Sequence, residues 1–229
     1  MNANPIWLKS YPEGVPADIN PNAYSSLVGL LEDSFSKYSE RIAYSFMGKD
    51  FSFAQTDQDS LAMAAYLQSL GLSKGDRVAI MMPNVPQYPV AVAAVLRAGL
   101  VVVNVNPLYT ARELEHQLKD SGAKAIVIIE NFAHTLEHCI AHTPVKHVVL
   151  AAMGDMLGLL KGALVNYVVR NVKKMVPAYN LPGAVRFNQA VAQGTRSTLK
   201  KPDIKPDDMA VLQYTGGTTG VSKGAVLLH

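Results

Sequence analysis

The repeated alternation of short apolar runs with helix-like stretches constrains the fold of this chain more than any other feature. Apolar, largely β-branched runs occupy residues 78–82, 101–105, 125–129 and 147–150, and helix-like stretches lie between them at 87–98, 111–120 and 132–142. A strand, a crossover helix and a second parallel strand form a right-handed unit. The alternation therefore predicts an α/β fold, a mostly parallel layered sheet flanked by helices.

The flanking segments suggest how the chain is divided. A helical stripe follows Pro21, with Ser25 or Ser26 available as N-cap, and a second stripe ends at Gly71. Residues 193–208 are polar and aperiodic, and a last strand-like run covers 209–214. We therefore predict an N-terminal α/β subdomain over 1–192, a connector over 193–208, and the start of a second subdomain with its own sheet over 209–229.

Composition excludes several classes of protein. Hydrophobic residues make up 49% of the 229 residues and charged residues 17%, which is typical of a folded globular chain. The net charge of +3 comes from scattered residues, so nucleic acid is not a predicted partner. Cys139 is the single cysteine, the N-terminus shows no secretory signal, and no apolar stretch reaches the roughly 18 residues of a membrane span. These features predict a soluble, cytoplasmic protein.

A glycine- and threonine-rich segment follows the last predicted strand. Its sequence, YTGGTTGVSKG, comprises Tyr214, Thr215, Gly216, Gly217, Thr218, Thr219, Gly220, Val221, Ser222, Lys223 and Gly224. Glycines let the backbone approach a ligand closely, hydroxyls donate hydrogen bonds, and the lysine adds positive charge, so the segment predicts a phosphate-binding loop. The alternative is an ordinary surface turn, which would have no use for three threonines and a lysine.

The order of residues separates this loop from two better-known phosphate-binding motifs. A Walker loop has Gly directly before Lys and Ser or Thr directly after it, whereas Lys223 lies between Ser222 and Gly224. A dinucleotide-binding fingerprint opens a helix, whereas residues 225–228 are apolar and strand-like. A Walker-type nucleotidase and a hydride-transferring enzyme are therefore both disfavoured.

The segment YTGGTTGVSKG closely resembles the AMP-binding signature of the acyl-adenylate-forming superfamily, in the variant found in bacterial long-chain fatty acid CoA ligases. Three further blocks resemble family segments in their usual order: GDRVAIMMPN, LRAGLVVVNVNPLYT and ELEHQLKDSGAKAIV. The resemblance thus extends over nearly the whole chain and is far more specific than the loop alone.

The resemblance implies an activity in two steps. A fatty acid carboxylate attacks the α-phosphate of Mg·ATP, giving an acyl-adenylate and pyrophosphate, and the thiol of coenzyme A then displaces AMP. It also implies that the loop holds the β- and γ-phosphates, with Lys223 stabilising the departing pyrophosphate and the hydroxyls of Thr215, Thr218 and Thr219 as donors. Thr215 is further implied as a Mg²⁺ ligand. Fatty acid, ATP and CoA are the implied small-molecule partners, and a homodimer is the implied assembly.

Two departures from the family pattern are visible. Ser222 stands where many members have proline before the lysine. The chain also stops at His229, whereas family members continue through the adenine-binding segment, a Mg²⁺-binding glutamate and a mobile C-terminal domain. We therefore expect an incomplete N-terminal portion of a ligase that lacks full adenylation activity alone. A non-catalytic nucleotide-binding module is the alternative.

A second motif suggests different chemistry. Residues 134–138 form H-x-x-E-H, with His134 and His138 one helical turn apart, Glu137 between them, and Cys139 and His142 nearby. This is the inverted signature of some zinc proteases, in which a glutamate activates a metal-bound water. The sequence marks no third metal ligand, so a solvated helix face is favoured over a zinc hydrolase. Cys139 has no activating motif, and we interpret it as a buried structural thiol.

Residues 155–176 predict a basic amphipathic helix. Its apolar face carries Leu157, Leu160, Leu164, Val168 and Val172, with Arg170, Lys173 and Lys174 on the other side. Such a helix either packs on the core or docks on an anionic membrane surface. The membrane surface in question would be the inner face of the cell membrane, into which fatty acids partition. Lys161 falls within the apolar face, so packing on the core is favoured.

Overall fold

The computed structural model describes residues 5–215 and 222–229. Within these residues lie a two-stranded antiparallel hairpin and a seven-stranded sheet with the strand order β7-β6-β5-β3-β4-β8-β9. The strands are β1 (Ile42–Phe46), β2 (Lys49–Ser52), β3 (Arg77–Met81), β4 (Val101–Asn104), β5 (Ala125–Ile129), β6 (His147–Ala151), β7 (Val185–Arg186), β8 (Met209–Thr215) and β9 (Lys223–Leu228). In the larger sheet only β9 runs antiparallel to its neighbour. The predicted α/β architecture with a mostly parallel sheet is confirmed.

Helices connect and cover the strands. They are α1 (Leu27–Lys37), α2 (Phe53–Ser69), α3 (Gln87–Arg97), α4 (Ala111–Ser121), α5 (Ala133–Glu137), α6 (Leu159–Tyr167) and α7 (Phe187–Gly194). The predicted helix over 132–142 is broken, because α5 is flanked by two 3₁₀ turns, Glu130–Phe132 and Ile140–His142. None of the helices in the described part of the chain has the length and hydrophobicity needed to cross a bilayer.

The sheet separates two cores because successive side chains of a strand point to opposite faces. In β3, Val78 and Ile80 join the larger core with α2, α3 and α7, whereas Ala79 and Met81 join the core beneath α4 and α5. All five residues of β5 are buried. Burial on both faces is the reason that these strands are continuous apolar runs without polar alternation.

Helix termini follow the local chemistry of the sequence. The Ser26 side chain accepts a hydrogen bond of 3.0 Å from Gly29 N, which confirms one of the two predicted N-caps. At the start of α4, Thr110 and Glu113 form a capping box. This cap fixes the entry of α4, the helix that approaches the glycine- and threonine-rich segment.

The predicted second sheet is wrong. Strand β8 pairs in parallel with β4 and so extends the sheet formed by the preceding residues. The connector lies along the same body: the Gln68 side chain exchanges hydrogen bonds with the backbone of Lys200, and Lys74 pairs with Asp208 at 2.6 Å. A pairing between residues more than 100 positions apart leaves no local sequence signal. The division into subdomains over 1–192 and 209–229 stays a prediction.

The predicted helix over 155–176 is shorter than expected. Its predicted packing on the core is found for Leu157, which is buried in the larger core, but not for Leu160 and Leu164. Helix α6 begins after Gly158, at φ 89°, and continues into a π-type turn, Val168–Val172. It contacts the body through Gly162, whose backbone lies against Gly154 so closely that a Cβ on either glycine would collide. Leu160 is 90% exposed and Leu164 63% exposed. Close backbone contact through small residues therefore turns the leucines outward.

Candidate active site

The glycine- and threonine-rich segment begins at the edge of the sheet where parallel strands β3, β4 and β8 end. Its first two residues close β8, and Lys223 opens β9, with Tyr214 opposite Gly224 and Thr215 opposite Lys223 in the antiparallel register. Six of the residues predicted for the site lie outside the described part of the chain: Gly216, Gly217, Thr218, Thr219, Gly220 and Val221. In open α/β sheets, ligands bind outside this carboxyl edge.

Helix α4 holds the base of the segment from one side. The Tyr214 hydroxyl donates a 2.6 Å hydrogen bond to Asp120 Oδ2, and His116 Nε2 lies 3.3 Å from the Ser222 carbonyl oxygen. Ser222 Oγ in turn donates to the Thr215 carbonyl at 3.0 Å, which joins the two strands of the base. Burial and the Asp120 carboxylate raise the pKa of Tyr214, so its phenol stays protonated and remains a donor.

Gly224 makes this close packing possible. A Cβ at this position would lie 3.0 Å from the Tyr214 ring, which is tighter than ordinary contact. The absence of a side chain lets the ring lie over β9 while its hydroxyl reaches α4. The sequence predicts that this glycine lets the backbone approach a ligand closely, and that role stays a prediction, because the neighbour seen here is an aromatic ring of the same chain.

Three uncharged polar side chains meet beside the segment. Asn104 Oδ1 accepts a 2.9 Å hydrogen bond from the Tyr88 hydroxyl, and Asn104 Nδ2 donates a 3.0 Å hydrogen bond to Gln213 Oε1. We call these residues the Tyr88–Asn104–Gln213 triad. They line a crevice of about 360 Å³, together with residues that include Asn84, Asn106 and Tyr109.

Thr215 and Lys223 carry the functional groups on which the predicted phosphate chemistry depends. Both residues are exposed, and they are cross-strand partners at the base of the segment. A lysine ammonium attracts phosphate as a point charge. The Thr215 hydroxyl oxygen is a donor of the hard type that Mg²⁺ takes, and Mg²⁺ is commonly held by one or two protein oxygens together with substrate phosphates and water. An exposed hydroxyl at the base of the predicted phosphate-binding loop therefore fits this ion.

The H-x-x-E-H residues do lie together. Possible ligand atoms of His134, Glu137 and His138 fall within 4.8 Å of one another. The two neighbours proposed with them point elsewhere: Cys139 is buried with a pKa raised by burial to about 11, and His142 Nδ1 faces Glu115 at 3.6 Å. The cluster therefore stays an exposed group on α5 and the turn after it, 134–138, and the interpretation of Cys139 as a structural thiol is confirmed.

Sequence reasoning missed the residues that position the segment. Tyr88 and Gln213 lie outside the blocks that carry the family resemblance, and Asn104, His116 and Asp120 lie within those blocks but were not singled out. The five residues come from α3, β4, α4 and β8. One signal was present: Asn104 and Gln213 are polar residues near the ends of predicted apolar strands. Polar residues there mark the edge at which a sheet binds ligands.

Comparison with known proteins agrees with this geometry. The chain is 56% identical over 225 residues to a long-chain-fatty-acid–CoA ligase of Escherichia coli O157:H7. The aligned region covers 98% of this chain and 40% of that protein. It is 36% identical over 231 residues to a protein of the same description from Bacillus subtilis, covering 100% of this chain and 41% of that protein. The chain thus spans about two fifths of the length of these relatives.

A solved structure shares the fold. A long-chain-fatty-acid-CoA ligase from Archaeoglobus fulgidus superimposes with a TM-score of 0.70 at 23% identity, covering 95% of this chain and 39% of that chain. The family model described as AMP-binding enzyme matches residues 31–229, which includes every strand of the larger sheet and the whole glycine- and threonine-rich segment. The chain therefore belongs to the AMP-binding enzyme family.

Proposed function

We propose that this protein takes part in the ATP-dependent activation of a long-chain fatty acid to its CoA thioester through an acyl-adenylate. The observation that carries the proposal is the 56% identity to a long-chain-fatty-acid–CoA ligase over 98% of this chain. The position of the YTGGTTGVSKG segment at the carboxyl edge of the sheet supports it. The substrates in this proposal are ATP, a fatty acid and coenzyme A.

The proposed contribution of the described residues is electrostatic. Lys223 places its ammonium beside the β- and γ-phosphates and stabilises the negative charge that builds up as pyrophosphate leaves. Thr215 offers a hydroxyl on the neighbouring strand. The Tyr214–Asp120 and His116–Ser222 contacts hold both ends of the segment, so that these groups need no rearrangement during the reaction.

We also propose Mg²⁺ as the resident ion, with Thr215 among the groups that hold it. When bound to ATP, Mg²⁺ supplies a Lewis acid that neutralises phosphate charge. Thr215 provides an uncharged oxygen next to Lys223, so the two residues divide the work between a neutral ligand and a point charge. Replacing Thr215 with Val keeps the shape of the side chain and exchanges its hydroxyl group for a methyl group.

The first test of the proposal is fatty-acid-dependent exchange of pyrophosphate into ATP by the polypeptide at its natural length. Exchange that is greatest with long acyl chains supports the proposal. If no carboxylate of any chain length supports exchange, the proposal is overturned. The alternative is then a non-catalytic nucleotide-binding module, which ATP titration would test. The 229 residues alone are expected to show no robust exchange, because they span about two fifths of the length of the relatives.

A second proposal concerns the exposed face of α6, which we place against the anionic inner surface of the cytoplasmic membrane. The face consists of Leu159, Leu160, Leu164 and Tyr167, of which the first is 93% exposed and the last 59%. Lys173 and Lys174 follow within two turns. Apolar side chains flanked by lysines complement an anionic lipid surface in both hydrophobicity and charge.

Vesicle sedimentation tests this membrane contact. The double variant Leu159→Ser/Leu160→Ser should abolish binding to vesicles that contain anionic lipid, whereas Leu108→Ser, which alters an 82% exposed leucine elsewhere, should not. Charge reversal at Lys173 and Lys174 should weaken binding and remove its salt dependence. Unchanged sedimentation of the leucine variant would contradict the proposal. The implied homodimer stays a prediction. If the Leu159→Ser/Leu160→Ser variant binds vesicles normally but sediments as a monomer where the unaltered protein sediments as a dimer, the face contacts a second copy of the chain instead.

A further inference from the structure

We propose that Asn104 is a positioning residue for the phosphate-binding segment and that it acts through Gln213. The inference rests on the proposed function, because it assigns a role in ATP binding to a residue outside the segment itself. Asn104 ends β4, and Gln213 is its register partner on β8, two residues before Thr215. The residue is argued to orient the segment, not to touch the nucleotide.

The hydrogen bonds of Asn104 leave its amide little freedom. Its oxygen accepts from the Tyr88 hydroxyl at 2.9 Å and its nitrogen donates to Gln213 Oε1 at 3.0 Å. Its backbone carbonyl accepts a 2.7 Å hydrogen bond from Gln117 Nε2 of α4. Elements α3, α4 and β8 are thereby joined at one residue, and the orientation of the Asn104 amide is determined from both of its ends.

The effect reaches the segment through Gln213. Its side chain is held by Asn104, and its own Nε2 lies within 3.4 Å of the Tyr214 carbonyl oxygen, to which it donates. The next residue is anchored differently, because the Tyr214 hydroxyl donates to Asp120 on α4. Consecutive residues at the entrance of the segment are thus fixed by two separate anchors. Groups that are fixed before the ligand arrives stabilise charge without the cost of reorganisation.

The strand pattern supports a role beyond folding. Val101, Val102 and Val103 are fully buried, and a strand that is buried on both faces favours an apolar residue at each position. An amide at the next position interrupts this pattern at the point nearest the segment. A leucine, which has the same branched shape and number of heavy atoms, would satisfy the sheet but would leave Gln213 without its donor.

The test is a double-mutant cycle in the polypeptide at its natural length. The variants are Asn104→Leu, Gln213→Leu and the two combined, and the readouts are the dissociation constant for Mg·ATP and the thermal midpoint. Each single variant should raise the dissociation constant for Mg·ATP about tenfold. The double variant should raise it no further than the more affected single variant, because both substitutions remove the same interaction. Tyr88→Phe, which removes one anchor of Asn104, should have a smaller effect in the same direction.

A matched control separates positioning from stability. Asn166 is also a part-buried amide with two partners, Gly154 N at 2.7 Å and Asp155 Oδ1, but it lies on α6. Asn166→Leu should lower the thermal midpoint without changing ATP affinity. Asn104 and Gln213 variants that bind ATP as tightly as the unaltered protein, or whose effects add, would overturn the inference.

ATP affinity and pyrophosphate exchange are measured separately, so a failure of the role of Asn104 and a failure of the proposed function can be told apart. If the unaltered polypeptide binds ATP but exchanges no pyrophosphate, the ligase proposal fails while the ATP affinities of the variants still decide the role of Asn104. If Asn104→Leu does not fold, Gln213→Leu and Tyr88→Phe provide the same comparison.

Discussion

The two edges of the large sheet each carry a crevice of about 360 Å³, yet their chemistry differs. At the amino edge lie two ion pairs: Lys74 contacts Asp208 at 2.6 Å, and Lys124 contacts Asp76 at 2.7 Å. At the carboxyl edge the Tyr88–Asn104–Gln213 triad is uncharged and leads into the proposed phosphate-binding segment. Size therefore does not identify the site, and the type of polar group does.

The comparison explains where charge is left for a ligand. The ammonium of Lys74 is already neutralised within its own edge. Among the residues that the structure describes, no carboxylate lies within ion-pair distance of Lys223. The neutral amides and hydroxyl of the triad do not compete with an anion for this lysine.

The largest expected effect compares the two lysines directly. In the polypeptide at its natural length, Lys223→Ala should lower the rate of ATP–pyrophosphate exchange by about 10²- to 10³-fold, because it removes charge stabilisation from the transition state. Lys74→Ala removes the same group from the other edge and should leave the exchange rate unchanged. Steady-state exchange assays measure both. Equal losses in the two variants would break the distinction between the edges.

The second effect concerns buried charge at the carboxyl edge. Glu130 follows β5, its side chain is only 2% exposed, and it is held by Arg170 and Arg186, each at 2.7 Å. Replacing both arginines with leucine should lower the free energy of unfolding by about 3 kcal/mol, because a buried carboxylate is left unpaired. Urea denaturation measures this loss.

Glu130→Gln in the double-leucine background is the matched control for that prediction. It removes the buried charge and should restore part of the lost stability. The corresponding change at the amino edge, Lys74→Ala, should cost far less, because both members of the Lys74–Asp208 pair contact solvent. A double-leucine variant as stable as the unaltered protein would show that the buried carboxylate needs no partner.

The smallest effect is a difference in pH dependence between two carboxyls. Burial alone would raise the pKa of Asp76, but hydrogen bonds from Lys124 and the Ser73 backbone outweigh it and lower the pKa below 3.8. Burial raises the pKa of Asp155, near the carboxyl edge, against hydrogen bonds from Ala152 and Asn166. Ionised Asp76 therefore stabilises the folded state above about pH 4, whereas ionised Asp155 opposes folding there.

Replacing each carboxyl with its amide should give effects of opposite sign. At pH 7, Asp76→Asn should lower the free energy of unfolding, and Asp155→Asn should raise it, each by less than about 1 kcal/mol. The loss in Asp76→Asn should vanish as the pH falls through the low pKa of Asp76. The gain in Asp155→Asn should vanish once Asp155 is protonated. Urea denaturation between pH 7 and pH 3 measures both, and shifts of the same sign would contradict the assignment.

Local chemistry made much of the fold predictable. The predicted strand over 125–129 matches β5 residue for residue, and Ser26 caps α1 as expected, because both depend on patterns within a few residues. The hairpin of β1 and β2 was missed. Strand β8 was assigned to a second sheet. Its pairing with β4 could not be predicted, because it joins segments more than 100 residues apart.

The candidate site divides in the same way. Tyr214, Thr215 and Lys223 could be found from one continuous motif, whereas Asn104 and Gln213 act through side chains that only the folded sheet brings together. Helix α6 shows the opposite error. Its apolar stripe predicted packing on the core, but the contact of Gly162 with Gly154 sets the orientation of the helix and leaves the stripe exposed.

The central claim is that ATP binds at the carboxyl edge of the sheet and not at the amino edge. Hydrogen–deuterium exchange of the polypeptide at its natural length, with and without Mg·ATP, tests it directly. Bound Mg·ATP should slow amide exchange in peptides covering residues 104–110 and 212–224 and leave peptides covering 73–77 and 203–208 unchanged. Protection confined to the amino-edge peptides, or absent from both edges while ATP is bound, would show that ATP does not bind at the carboxyl edge.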